Sequence, residues 1–402
     1  MAAPDVLRLS KDLSDYIVHA KRKIHQNPEL GMAEFATTEF VRSELKSFGI
    51  DVAPWGEGTV GALGLLKGSG PGTGSAIALR ADMDALPIQE VTGLPDESKV
   101  PGVMHACGHD CHTAMLLGVA KILSGMRDRF AGTVKFLFQP AEETLNGARY
   151  MIERGVLDDP KADCIVGLHG HSGFDVGELA FRSGPSMASS DFFTATITGT
   201  SGHGAYPHRI QKDPILAASN ATLAIQSIIT RQVDAIDSVV ISICEIHGGS
   251  AKNIIPEVVQ FGGSVRCQRE ETRKTIEGRI RDIVNHSAAL YKCTADLNYH
   301  YGVPPLVNDS DLVAIARESA RKIVGDERVR SIDVPAMGSE DFAEYLQVLP
   351  RGLFVRLGVH SPGQPNPIFH NGSFVFSEEA LPYGTAFFVQ FVLDMNGDDG
   401  RQ

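Results

Sequence analysis

The chain has 402 residues, 43% hydrophobic and 21% charged, an ordinary globular composition and length enough for two or three domains. A formal charge of −12 with no basic stripe excludes a binder of phosphate backbones, so no nucleic-acid partner is expected. No apolar run reaches bilayer length, Met1 to Lys11 lacks the apolar stretch of a secretory signal, and the six cysteines are scattered; a cytoplasmic protein with reduced thiols and no membrane partner is expected.

Apolar residues recur at three- and four-residue steps over Leu7 to His25 and over Ala33 to Phe48, with Asn27-Pro28 between them and Gly49 behind, and predict two helices. Thr59 to Leu66 and Ser75 to Arg80, separated by the glycine-rich run Gly68 to Gly74, predict strands. Helix Thr113 to Met126, strand Gly132 to Phe138, helix Asn146 to Arg154 and strand Ala162 to Leu168 follow. Alternation of this kind implies an α/β layer with a mainly parallel sheet.

From about Asp191 the pattern changes. Four strands (Phe192 to Thr198, Ser238 to Ile246, Val258 to Cys267, Thr294 to Tyr301) and two helices (Pro214 to Thr230, Glu270 to Tyr291) predict a compact α+β unit. Alternation then resumes with helix Ser310 to Ile323, strand Ser331 to Pro335, helix Asp341 to Gln347, strand Leu353 to Leu357 and helix Glu378 to Asp394. The expected fold class is α/β: a mainly parallel-sheet domain with helices on both faces, residues 1–187 and 304–402, carrying an inserted smaller α+β domain, residues 188–303. Periodicity alone also allows two sequential domains.

One segment dominates the chemistry. His105-Ala-Cys107-Gly-His109-Asp110-Cys111-His112 packs three imidazoles, two thiols and a carboxylate into eight residues. Thiolate and imidazole together suit Zn²⁺ and its first-row neighbours, whereas Ca²⁺ or Mg²⁺ would call for oxygen donors. Cys107 and His109 lie two apart, so an extended turn lets both face one ion. No second Cys/His pair stands at zinc-finger spacing, so the other ligands must come from distant segments.

Candidates sit just after predicted strands, where open α/β sheets bind ligands: Asp82 and Asp84, Glu142 and Glu143, His169 and His171. Neighbours in extended chain point to opposite sides, so one of the two glutamates can ligate while the other faces the attacking water as a general base. Read alone, the pair could equally be solvated acids favoured by the dipole of the next helix. Spacing does not choose between His169 and His171.

His105 to Ala114, Gln139-Pro-Ala-Glu-Glu143, Gly202-His-Gly-Ala-Tyr-Pro-His208, Asn253-Ile-Ile-Pro256 and Met337-Gly-Ser-Glu-Asp-Phe342 together resemble the co-catalytic metallopeptidase family of aminoacylase and carboxypeptidase G. The nearest branch looks like the amidohydrolases that include hippurate hydrolase and the indoleacetyl-amino-acid hydrolases. The resemblance runs from Lys21-Arg-Lys-Ile-His-Gln-Asn-Pro-Glu-Leu-Gly31 to Glu378-Glu-Ala-Leu-Pro382.

It implies two divalent ions per subunit (Zn, Mn, Co or Ni) with Cys107 bridging both, Glu143 and His370 completing one site and His109 and His169 the other. It makes Glu142 the general base and His203 the group that holds the developing oxyanion, reaching across a dimer; His208 stands close enough in the motif to compete for that part. Asn253 and Arg266 resemble ligands for a substrate carboxylate, though Arg266 could instead be a salt-bridged strand residue. Many relatives have His-x-Asp where this chain has Asp82-x-Asp84, so Asp84 is expected to orient a ligating histidine; Asp82, Cys111 and His171 receive no role.

The implied activity is hydrolysis of N-acyl-amino acids, small substrates with a free carboxylate, by a hydroxide shared between the ions. A carboxypeptidase or dipeptidase is the runner-up, and a catalytically silent metal binder the alternative of another class. The resemblance also implies a homodimer, or a tetramer of dimers, with the inserted domain serving as lid and dimerisation element.

Overall fold

The computed structural model describes residues 4–364 and 368–397. The first three residues of the Met1 to Lys11 stretch therefore lie outside the described residues. The chain packs as two compact units, one of Met1–Gly184, Val307–Asp333 and Glu344–Gln402, the other of Pro185–Leu306 and Val334–Ala343.

The first unit is built on an eight-stranded sheet, in the order Asp51–Val52, Ala62–Lys67, Thr133–Gln139, Ala76–Asp82, Cys164–Asp175, Gly352–His360, Leu179–Phe181, Val329–Ser331. Its central strands run parallel, with antiparallel pairing at Asp51–Val52, Ala62–Lys67 and between Gly352–His360 and Leu179–Phe181. Ala76–Asp82 is buried at every position, the burial of a strand covered on both faces. Ile77, Leu79 and Ala81 enter the main core with residues of helices Ser14–His25, Phe35–Ser47, His109–Ser124, Ser310–Val324 and Leu381–Asn396. Ala78 and Arg80, of opposite parity, are buried outside that core, and the helix Gly147–Glu153 packs against Thr133–Gln139.

The helix expected over Leu7 to His25 is two helices, Val6–Asp12 and Ser14–His25, broken at Leu13. The second buries Ile17, Ala20, Lys21, Ile24 and His25, the face its spacing predicts. Two short strands, Leu179–Phe181 and the displaced Val329–Ser331, were not resolved by pattern; three residues cannot establish a period.

In the second unit the antiparallel sheet runs Val239–Gly248, Val258–Cys267, Asp191–Thr198, Thr294–His300. Phe193, Ala195 and Ile197 alternate inward, against Ala217, Ala221 and Ile225 of helix Pro214–Arg231 and Ile276, Ile280 and Val284 of helix Glu270–Leu290. A two-stranded ribbon, Gly202–His203 with Ile254–Ile255, is additional. The segment Val334–Ala343 also belongs here although it follows residue 303, because the Ala336 N–H donates to Ser186 O, and Ala336 O accepts from the Ala188 N–H and from Gln268 Nε2.

Candidate metal centre

Parallel register places Asp82 opposite Gln139 and Arg80 opposite Gly167, so Ala76–Asp82, Thr133–Gln139 and Cys164–Asp175 deliver their C-terminal residues to one end of the sheet. There the chain supplies Asp84, Glu142, Glu143 and His169. The metal segment arrives as a helix start rather than as the extended turn expected. Gly108 is left-handed at φ 84, and His109 opens the helix His109–Ser124, four residues before the expected Thr113. A Cβ at Gly108 would come within 2.6 Å of the Phe376 ring, so glycine is required there by conformation and by space.

Two of the donor triads that result share Cys107. Cys107, His109 and His169 form one and Cys107, Glu143 and His370 the other, the donor atoms of each lying within 4.8 Å of one another. Cys107 Sγ is 3.4 Å from His169 Nε2, and His370 Nε2 is 3.3 Å from Glu143 Oε1. Among the described residues His109 Nε2 is buried without a hydrogen-bond partner, and Glu143 Oε1 is buried with no hydrogen bond beyond its contact with His370. Buried orphan polar atoms are costly, so their convergence on a thiol fits cations. Burial pushes the Cys107 thiol up to about 12, against the pull of His109, so a thiolate here needs positive charge beside it.

The imidazoles are held by their other nitrogens. His109 Nδ1–H donates to Asp84 Oδ1 at 3.1 Å and His169 Nδ1–H to Gly170 O at 2.8 Å, leaving each Nε2 for a ligand. Burial, with His112 and Arg356 nearby, holds His169 well below the usual histidine range, in the uncharged form that ligation needs. Asp84 does more than orient His109: Oδ1 also accepts from the Glu142 N–H and Oδ2 from the Glu143 N–H, both at 3.0 Å. One carboxylate thus fixes a histidine and the backbone of both glutamates. His370 keeps a left-handed φ of 58 and donates its N–H to Ala106 O at 2.9 Å. Such a conformation costs a non-glycine residue roughly 1–2 kcal/mol and persists where surroundings impose it.

Side chains without an expected role find places. Asp82 is fully buried, accepting from Arg80 Nη1 at 2.6 Å and from His112 Nδ1 at 2.7 Å, while His112 Nε2 accepts from the Gly170 N–H at 3.0 Å. Both His112 nitrogens are therefore occupied, and Asp82 braces the strand that carries His169. Cys111 is a packed core side chain. His171 is partly buried and accepts the Gly173 N–H on Nδ1. His25, from the N-terminal motif, bridges Asp110 at 2.8 Å and Glu90 at 3.2 Å and so ties down the first turn of the metal helix. Sequence spacing gives no sign of the pairings of Asp82 with His112 and of His25 with Glu90 and Asp110, whose partners lie 30 to 85 residues apart.

In the second unit, His203 is exposed on the ribbon and its Nδ1 accepts from the Ala205 N–H at 3.1 Å, which makes Nε2 the donor. His208 is exposed on the short helix Pro207–Ile210. Asn253 lends its carbonyl to the Gly204 N–H. Arg266 is half-buried, bonds Ser339 Oγ at 2.9 Å and has no carboxylate within ion-pair distance among the described residues, contrary to a salt-bridged strand residue.

A model of peptidase family M20/M25/M40 matches residues 78–394. The chain belongs to this family. Membership makes it a hydrolase of amide bonds. The IAA-amino acid hydrolase ILR1-like 2 of Arabidopsis thaliana is 39% identical over 382 residues, 94% of this chain and 84% of that protein. The N-acetyl-L-cysteine deacetylase of Bacillus subtilis is 38% identical over 380 residues, 94% of this chain and 88% of that one. Among solved structures, the YXEP protein of Bacillus subtilis, described as a dinuclear metal-binding peptidase of the M20 family, superposes with a TM-score of 0.83 at 33% identity, covering 95% of this chain and 98% of its own.

Proposed function

We propose that this M20 hydrolase cleaves N-acyl-amino acids into a carboxylic acid and a free amino acid, with two divalent ions per chain. The observation that carries the reading is the pair of donor triads sharing Cys107, with the buried Glu142 beside them. Cys107 is assigned to both ions, Glu143 and His370 to one, His109 and His169 to the other. Thiolate, imidazole and carboxylate together favour Zn²⁺, Mn²⁺, Co²⁺ or Ni²⁺. When bound, the ions supply Lewis acidity, which polarises the amide carbonyl and acidifies a water.

The chain's own groups do the rest. Glu142, with Oε2 3.9 Å from His109 Nε2, takes the proton of the attacking water and returns it to the leaving nitrogen. Arg266 and Asn253 are assigned to the substrate carboxylate, the guanidinium by its bidentate fork. His203 donates Nε2–H to the developing oxyanion. Its remoteness in sequence from every donor, on a separate unit, supports delivery to a neighbouring subunit of a dimer. Among the described residues no helix is long and apolar enough to cross a membrane. A cytoplasmic setting, which six free cysteines suit, is part of the proposal.

Turnover of benzoylglycine, indoleacetyl-amino acids, N-acetylcysteine and simple dipeptides, after reconstitution with each metal, tests the reading. It predicts release of free amino acid from the acylated substrates in preference to dipeptides. Preference for dipeptides would make the chain a dipeptidase or carboxypeptidase, and no turnover at full metal occupancy a silent binder. For the assignment in trans, mixing inactive Glu142→Gln with inactive His203→Ala subunits should restore part of the activity, since one site of the heterodimer keeps both groups. Heterodimers verified by mass and no more active than either parent would contradict delivery across subunits.

A further inference from the structure

Three successive backbone N–H groups at the centre end on carboxylates: Ala141 on Glu34 Oε1 at 2.8 Å, Glu142 on Asp84 Oδ1 and Glu143 on Asp84 Oδ2, each at 3.0 Å. Asp84 also holds His109, so its presence is explained. Glu34 belongs to none of the donor groups among the described residues.

Glu34 occupies the N-cap of helix Phe35–Ser47, where a side chain ordinarily bonds the first turn of its own helix, yet it makes no such bond. Glu29 takes over that task, accepting from the N–H groups of Ala36 and Thr37 and from the Thr37 hydroxyl. The Glu34 carboxyl is thereby released to reach a partner 107 residues away. It is completely buried, and its Oε2 has no partner among the described residues. Gly31 allows the approach, since a Cβ there would lie 3.2 Å from Ala141 Cα and 3.4 Å from Asp84 Oδ2.

The recipient is strained. Ala141 has a φ of 55, a left-handed conformation that an L residue keeps only when its surroundings impose it. The peptide joining Ala141 to Glu142 sets the direction of the Glu142 side chain and keeps its N–H on Asp84. If Ala141 relaxed toward an ordinary conformation, that peptide would turn and the carboxylate would swing with it.

We infer that Glu34 is a positioning residue for the hydrolysis, holding Ala141 in its left-handed turn and so aiming the Glu142 carboxylate. This rests on Glu142 as the general base. Burial, with the Asp84 charge adding to it, pushes Glu34 up to about 7, so acid and carboxylate forms interchange near neutrality. Each form offers an oxygen to the Ala141 N–H. Glutamine does so as well, leucine does not, and aspartate keeps the charge but is one methylene too short.

The test compares Glu34→Leu, Glu34→Asp and Glu34→Gln in the full-length, metal-loaded enzyme. Glu34→Leu and Glu34→Asp should lower kcat by a factor on the order of 10 to 10², with KM changed less than about twofold, as expected when a catalytic group is misplaced without loss of binding. Bound metal per chain should stay at the wild-type value, and Glu34→Gln should recover kcat to within about threefold, because it preserves the acceptor. If Glu34→Leu fails to fold, Glu34→Asp carries the comparison. A folded Leu or Asp variant with wild-type kcat overturns the inference, as does an equal loss in Glu34→Gln or a loss of bound metal that accounts for the lower rate.

On a Glu142→Gln background, Glu34→Leu should cost nothing further, since two residues acting through one group are not additive. A fast Glu142→Gln enzyme would remove the base and this inference together. A slow Glu142→Gln with unimpaired Glu34 variants would remove the inference alone.

Discussion

Glu142→Gln is expected to bind its full complement of metal and to hydrolyse N-acyl-amino acids slower by a factor on the order of 10² or more, the usual contribution of a positioned proton acceptor. The amide is isosteric with the carboxylate, and neither donor triad sharing Cys107 includes Glu142. The backbone bond of Glu142 to Asp84 uses the main chain and survives the change. The change removes the proton acceptor. The loss should fall on kcat, with KM little altered. Metal analysis beside the kinetics decides the point: full occupancy with a near wild-type rate would show that another group takes the proton.

Cys107→Ser should strip the centre. Cys107 belongs to both triads, so replacing a thiolate by a neutral hydroxyl weakens two ions at once. Metal affinity is expected to fall by more than about 100-fold, beyond what loss of an outer partner to a ligand produces. After dialysis the variant should hold fewer than one ion per chain, by an order-of-magnitude reading of that affinity loss. Two ions retained would remove Cys107 from the shared position. A cavity is not the cause of any such loss, since serine nearly matches the size of cysteine and the site is 8% exposed. Stability measured on the demetallated proteins should therefore differ little between wild type and variant.

Much of this centre could be read before any coordinates. The strands that lead to Asp84 and Glu142 and the strand that carries His169 announce themselves by apolar runs, and parallel pairing obliges their C-terminal ends to converge. The start of the metal helix was hidden for a physical reason. His109 to His112 carries no apolar period, and Gly108 reads as a break although it serves as a left-handed entry into the helix. The ribbon that presents His203 has strands of two residues, too short for any alternation to show.

The buttresses were out of reach altogether. Asp82 with His112, His25 with Asp110 and Glu34 with Ala141 are pairings across 30, 85 and 107 residues, and each is made by the fold bringing together elements far apart in the chain. Pattern reports which face of an element is buried. It does not report which buried carboxylate meets which backbone N–H. The capture of Val334–Ala343 by the second unit has the same origin, since it depends on main-chain bonds at Ala336 that leave no trace in side-chain type.

The most direct measurement is titration of the demetallated protein with Zn²⁺ or Mn²⁺, following bound ions per chain and release of free amino acid from an N-acyl-amino acid in the same samples. A two-ion hydrolytic centre predicts that hydrolysis appears with metal, reaches its maximum at two ions per chain, and disappears on chelation. Amino-acid release that persists in the metal-free protein, or that is complete with a single ion bound, would contradict it.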